Sequence, residues 1–221
     1  GKTIGFGGRV TDDSMPKYLN SKDSKFFNKT RELYGFNNAK KDHKTEDFIV
    51  TEGYMDVVML SEYGINNAVA SLGTAFSQNH MSSMFKLRRK ITFCFDSDEA
   101  GLKAAWRALQ ISLKHVIDDK TVRFLFLPEG YDPDSFVKEK GEQEFYKKLD
   151  RAMVLESFAF QYLKRGKKLD SPEDIRQIIF EFKKLLPLVT SEMLKETLMT
   201  KFSSELNICL LYTSDAADDV E

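Results

Sequence analysis

A chain of 221 residues can bury a full core in one or two domains, and 42 % apolar against 30 % charged residues is the balance of a soluble globular protein. It contains no run of 18 apolar residues and no signal peptide opens it, so the cytoplasm is the expected compartment and no membrane partner is expected. The formal net charge of −1 conceals a gradient: residues 1–45 carry ten Lys and Arg against five Asp and Glu, residues 46–150 carry 13 against 17. A basic segment ahead of an acidic centre suits phosphates steered toward metal-loaded carboxylates.

Ile4-Gly-Phe-Gly-Gly-Arg-Val10 holds too many glycines for an ordinary strand interior. It reads as a bulged strand, or as a place where backbone approaches a ligand closely. Residues 11–46 are polar and irregular, with Phe26, Phe27, Leu33, Tyr34 and Phe36 as anchors to a core. From Asp47 a strand–helix alternation begins. Phe48–Thr51 is a strand, and Tyr54–Tyr63 a helix with Met55, Val58, Met59 and Leu60 as its apolar residues and Gly64 at C′. Ala68–Leu72 is the next strand, a helix runs from about Ser77 to Leu87, and Ile91–Phe95 is the third strand, with Cys94 a buried free thiol. The helix that follows carries Leu102, Ala105, Trp106, Leu109, Leu113 and Val116 in one apolar stripe. Val122–Leu127 is the fourth strand, ended by Pro128 and Gly130. Such alternation with short loops predicts the α/β class: a parallel sheet covered by helices. After about residue 135 the strand signals stop. Residues 135–149, 153–165, 172–186 and 190–206 read as helices of a small subdomain, the third opened by Ser171 as N-cap and Pro172 at N1. The acidic stretch 209–221 breaks this pattern and is read as a frayed or non-native tail, to which no function is assigned.

Three carboxylate clusters lie at or just past strand ends: Glu52 in Phe48-Ile-Val-Thr-Glu-Gly53, Asp96 and Asp98 in Phe95-Asp-Ser-Asp98, and Asp132 and Asp134 in Tyr131-Asp-Pro-Asp134. Singly, each has a plain reading. Glu52 is a helix-start carboxylate, and the Asp-x-Asp pairs are helix caps and first-turn acids; continued strand period would instead put Asp96 and Asp98 on one side. Together they carry more. In a parallel sheet the carboxyl ends of the strands lie side by side, so all five converge on one edge. Like charges at ~4 Å repel by roughly 4 kcal/mol even at an effective dielectric near 20, so divalent cations are expected among them. Oxygen ligands of this kind select Mg²⁺ or Mn²⁺. His43, His80 and His115 have no ligand spacing with one another or with Cys94 and Cys209, so no zinc site is expected.

The Glu-Gly after the first strand and the Asp-x-Asp after a later one resemble the TOPRIM fold of primases, topoisomerases and some nucleases. Narrower strings choose within it. Phe6-Gly-Gly-Arg9, Pro16-Lys-Tyr-Leu-Asn-Ser21, Leu33-Tyr-Gly35, Glu52-Gly-Tyr-Met-Asp-Val57, Ala70-Ser-Leu-Gly-Thr74 and Asp132-Pro-Asp134 together resemble the catalytic domain of bacterial-type DNA primase. The resemblance runs in order from about residue 4 to 140 and more weakly to about 206.

That resemblance implies DNA-templated synthesis of short RNA primers from ribonucleoside triphosphates on single-stranded DNA, by two-metal nucleotidyl transfer. It makes Glu52, Asp96, Asp98, Asp132 and Asp134 the acidic metal-site residues, with Glu52 either a ligand or the base that receives the hydroxyl proton. Arg9, Lys17, Tyr18, Asn20 and Lys29 match the family's nucleotide- and template-facing strip, and Asp56 an acidic position behind the site. It divides the chain into part of a basic lobe (1–46), a TOPRIM domain (47–140), a helical subdomain (141–208) and the tail (209–221). The family's zinc module, the first lobe of its catalytic domain and its helicase-binding domain have no counterpart here, so a fragment is expected, and contact with the replicative helicase belongs to the longer protein, associated with the nucleoid. Two other readings compete: another TOPRIM enzyme, a nuclease or topoisomerase, and a nucleic-acid-binding module without catalysis. None of the eight tyrosines stands where a topoisomerase would need one, and no acidic position is lost.

Overall fold

The computed structural model describes residues 2–10, 18–42, 45–117 and 119–208. The first strands, β1 (Gly7–Arg9) and β2 (Tyr18–Asn20), pair antiparallel with Gly8 opposite Leu19, and a short helix α1 (Phe36–Ala39) follows. Neither β2 nor α1 was legible in residues 11–46. Both are very short, and the ribbon is largely exposed, so no apolar period marks it.

The main sheet begins with β3 (Asp47–Thr51), α2 (Tyr54–Glu62), β4 (Ala68–Ala70), α3 (Gln78–Phe85), β5 (Lys90–Phe95), α4 (Glu99–Ser112) and β6 (Thr121–Phe126). The chain continues through α5 (Pro133–Lys140), α6 (Glu142–Asp150), β7 (Met153–Val154), α7 (Leu155–Lys164), α8 (Pro172–Leu185), a 3₁₀ turn at Leu186–Leu188 and α9 (Glu192–Leu206). The strand order is β4-β3-β5-β6-β7. Val50 stands beside Val69 on one side and Phe93 on the other, and Phe93 beside Phe124, all in parallel register.

β3 and β4 are buried throughout, as is β5 after Lys90, because helices cover both faces. Strand alternation then sorts the side chains. Phe48, Val50, Phe93, Phe95 and Phe124 face α3, α4 and α7, and the same apolar body continues into α8 and α9. Ile49, Cys94 and Leu125 face α2, α5 and α6. Phe93 stacks on Phe124 with ring centroids 5.5 Å apart; each such buried ring contributes roughly 1.5–3 kcal/mol. Cys94 is the buried free thiol expected.

Several features differ from the sequence reading, among them the end of β4 at Ala70 and not Leu72. Strand pairing does not stop at residue 135: β7 adds an antiparallel end strand to β6, with Met153 opposite Phe124, too short for any alternation to show. The helix expected over 135–149 is two helices, broken at Gly141, whose φ of 84° is a conformation that side-chain-bearing residues resist. On α2 the buried residues are Tyr54, Val57 and Leu60, while Met55, Val58 and Met59 are only half-buried. The 209–221 stretch lies outside the described residues, as does Lys17.

Candidate active site

β3, β5 and β6 are neighbours and parallel, so their carboxyl ends form one continuous edge. Glu52 follows β3 directly and Asp96 follows β5 directly. Asp98 is the N-cap of α4 and Asp132 the N-cap of α5, with Asp134 in that helix's first turn. Because β5 ends at Phe95, the Asp96–Asp98 pair is set by a strand-to-helix turn and not by the strand's pleat. A hydrogen bond spans the strand ends: the Asp96 N–H donates to Glu52 Oε1 at 3.3 Å. Gly101 N–H donates to Asp98 Oδ1 at 2.7 Å, and Ser135 N–H to Asp132 Oδ1 at 2.7 Å. Asp56, in the first turn of α2, accepts from Gly53 N–H at 3.1 Å.

Gly101 was not singled out from the sequence, yet it holds this corner together. A Cβ on it would stand 2.3 Å from the Asp96 carbonyl oxygen and 3.1 Å from Glu52 Oε1. Only a glycine lets the first turn of α4 close onto the end of β5. The signal was present, since a glycine inside a helical pattern without an obvious need marks close packing or function.

The carboxylates act on one another. Withdrawal from water raises the Glu52 pKa, Asp96 and Asp98 raise it further, and the Asp96 N–H opposes them. Asp96 is raised by withdrawal from water, then by Asp132 and Asp98. Burial pushes Asp56 up to about 7 against the Gly53 hydrogen bond, with Asp132, Asp96 and Glu52 adding to it. Asp134 is not among the charges acting on these three. Among the described residues no Lys, Arg or His stands within 4.0 Å of Glu52, Asp56, Asp96, Asp98, Asp132 or Asp134 to form an ion pair. Nor do any three His, Cys, Asp or Glu side chains of the described residues gather tightly enough to enclose one ion. The carboxylates line an edge instead of closing on a point. Glu52, Asp98 and Asp132 each have one oxygen tied to a backbone N–H, and the other has no hydrogen bond among the described residues. Uncompensated, oxygen-only donors with a lone oxygen to spare fit a hard divalent cation.

The basic strip reaches this edge from the amino-terminal ribbon. Tyr18 packs edge-on to Tyr54, the first residue of α2, at 5.2 Å and 78°. Tyr34 lies 5.2 Å from Tyr54 on another side, and the Arg9 guanidinium sits 5.7 Å from the Tyr18 ring centre. Asn20 packs between Gly7 and Gly73, the latter on the loop leaving β4. Lys29 is tied to that same loop through its carbonyl, which accepts from Thr74 Oγ1 at 3.2 Å. Four of the five strip residues are thus placed around the β3 and β4 ends, and Tyr54, which sequence reasoning left inside a motif, is the aromatic on which the ribbon rests.

Residues 49–137 match the Toprim-like family, and residues 1–40 match the amino-terminal domain of the DNA primase catalytic core. The DNA primase of Escherichia coli strain K12 is 40 % identical over 209 residues, covering 94 % of this chain but only 36 % of the relative, so the chain spans about a third of that protein's length. The solved E. coli primase catalytic core superposes with a TM-score of 0.88 at 40 % identity, over 95 % of this chain and 67 % of the other. A DnaG primase catalytic domain bound to single-stranded DNA gives 0.85 at 40 % identity, over 92 % and 66 %. The Toprim-like match contains the whole acidic edge from Glu52 to Asp134, and at 40 % identity over two thirds of the solved catalytic core the chain belongs to the bacterial-type DNA primase family.

Proposed function

We propose that this chain is the acid-bearing part of a primase catalytic core, which joins ribonucleoside triphosphates into short RNA primers along a single-stranded DNA template. The observation that carries the reading is the edge itself: carboxylates from three neighbouring strand ends, unpaired by any cation of the described residues, beside a ribbon bearing Arg9 and Tyr18. Asp96, Asp98, Asp132 and Asp134 are the residues that would hold Mg²⁺ or Mn²⁺, with Glu52 as a further ligand or as the base. A bound divalent cation supplies Lewis-acid charge against the triphosphate and the attacking 3′-hydroxyl. Glu52 keeps an unbonded oxygen and a raised proton affinity, which suit it to take the hydroxyl proton. Asp56 orients the start of α2 through Gly53. Arg9, Lys17 and Lys29 contact phosphates, and Tyr18 and Asn20 the nucleotide or template.

In this reading residues 1–46 belong to the basic lobe, 47–140 to the TOPRIM domain and 141–208 to the helical subdomain; a replicative helicase engages the longer protein elsewhere. The test is incorporation of labelled ribonucleotides on a single-stranded template by the full-length protein that carries this sequence. Glu52→Gln and Asp96→Asn each lower synthesis by about a hundredfold or more, while circular dichroism reports an unchanged fold. Wild-type synthesis by a folded Glu52→Gln variant would refute the assignment.

A further inference from the structure

The end of α7 and the turn after it read Lys164-Arg165-Gly166-Lys167-Lys168, four cations in five residues. The turn is fixed beside the acidic edge. Arg165 makes a 2.7 Å ion pair with Glu99, the residue after Asp98 at the start of α4. Tyr162 stacks on Trp106 of α4 with ring centroids 4.1 Å apart, which locks the two helices together. Lys103 and Arg107 follow Glu99 at four and eight residues, on the same face of α4, and both are exposed. Glu99 thus sits between Arg165 and Lys103, with Lys164, Lys167, Lys168 and Arg107 carried on the same two segments.

Part of this cluster has an ordinary structural use. Lys164 and Lys167 suit the carboxyl end of α7, where Lys167 Nζ donates to the Leu163 carbonyl at 2.7 Å. That does not account for Arg165, which is turned toward α4, nor for Lys168, Lys103 and Arg107, whose side chains have no carboxylate within 4.0 Å among the described residues. Glu173 and Asp174 stand in the first turn of α8, where Asp174 Oδ2 accepts from the Lys168 N–H at 2.9 Å, and Asp170 follows Lys168 by two residues. α4 and α7 cover one face of the sheet, while the ribbon rests on α2 at the other.

We propose that the α7–α8 turn and the outer face of α4 form a second track for the phosphate backbone of single-stranded DNA, on the opposite side of the acidic edge from the ribbon. The proposal rests on the reading that this edge works on a DNA template. A strand crossing the edge then meets cations both before and after the carboxylates that would repel it. Arg165 and the lysines contact phosphates without reading bases, so the contribution is independent of sequence and dependent on salt.

The experiment measures binding of a fluorescent single-stranded oligothymidylate by anisotropy over a range of salt concentrations. Each phosphate contact contributes about 0.7 to the slope of log K against log salt, so Lys168→Gln in the turn with Lys103→Gln on α4 lowers the slope by about 1.4. A control pair on α6, Lys147→Gln with Lys148→Gln, leaves it unchanged. Glu99→Gln removes the carboxylate that separates the turn from α4 and tightens binding at every salt concentration, a gain that misfolding would not produce. An unchanged slope in the Lys103 and Lys168 double variant, with normal salt-dependent binding by the wild type, overturns the second track and leaves the primase reading standing. Failure of the wild type to bind the strand defeats both. A slope change seen only with an RNA–DNA hybrid overturns the assignment to a single strand.

Discussion

Replacing Gly101 by Ala tests whether the acidic edge depends on close contact between α4 and the end of β5. The new methyl would stand 2.3 Å from the Asp96 carbonyl oxygen, where contacts below 3.0 Å essentially do not occur, and 3.1 Å from Glu52 Oε1. On intrinsic preference Ala in a helix is better than Gly by about 1 kcal/mol. Against that, overpacking a buried site costs typically 1–3 kcal/mol, and here the opposing atom is backbone, which cannot rotate away. Glu52 holds the end of β5 through the Asp96 N–H at 3.3 Å and Asp98 caps α4 through the Gly101 N–H at 2.7 Å, so the shift disturbs both. The upper end of the overpacking range applies, and the net destabilisation is about 1–2 kcal/mol, or roughly 3–6 °C in melting temperature for a chain of this size. Thermal unfolding followed by circular dichroism, with and without Mg²⁺, reads both consequences: a lower transition and a smaller metal-dependent shift. A variant as stable as wild type, or more so, with an intact metal response would show that α4 does not close on Asp96 as described.

Mn²⁺ or Mg²⁺ raises the melting temperature of the wild-type chain by mass action on the folded state, and Asp96→Asn with Asp98→Asn abolishes the rise; an undiminished shift on a metal titration would put the site elsewhere. In metal-free buffer, stability falls as pH rises from about 4 to about 7. Asp56 holds its proton to about 7 when folded against 3.8 unfolded, so the native state binds more protons across that window. Asp56→Asn flattens the fall and stabilises the metal-free protein above pH 7 by roughly 2–4 kcal/mol; urea titrations at several pH values with coincident curves for both proteins would contradict this. The same variant lowers primer synthesis by only ~10–100-fold, the range for a group that orients others, as against near-complete loss for Glu52→Gln in the same assay. Lys17→Ala with Lys29→Ala flattens the salt dependence of single-strand binding by about one to two slope units, and an unchanged slope would move the template path away from the ribbon.

What could be read from the sequence follows from burial. β3, β5 and β6 show as β-branched and aromatic runs because both sheet faces are covered, and their ends therefore located Glu52, Asp96 and Asp132. The β1–β2 ribbon and β7 carry no such mark. The first is exposed, so nothing selects an apolar face; the second has two residues and exists only because β6 offers an edge. Asp98 and Asp132 admitted two readings, ligand or helix cap, and the geometry makes both caps. Gly101 was hidden because its partner is a backbone carbonyl five residues back, a contact that no side-chain pattern announces.

The two readings of those aspartates are compatible, and their combination explains how an edge of like charges folds at all. A cap places the carboxylate at the positive end of a helix, where the dipole and the free N–H groups stabilise it by about 0.5–2 kcal/mol. Asp98 and Asp132 receive that stabilisation through one oxygen each, and Glu52 receives a similar bond from the Asp96 N–H. The backbone thus offsets part of the repulsion before any cation arrives, and it does so with the oxygen a cation does not need. Asp96 has no such cap of its own, and withdrawal from water and its neighbours Asp132 and Asp98 raise its pKa. In the proposed metal-binding reading, Asp96 is accordingly the ligand for which the fold leaves most of the compensation to be supplied from outside, and where a cation would have most to gain by binding.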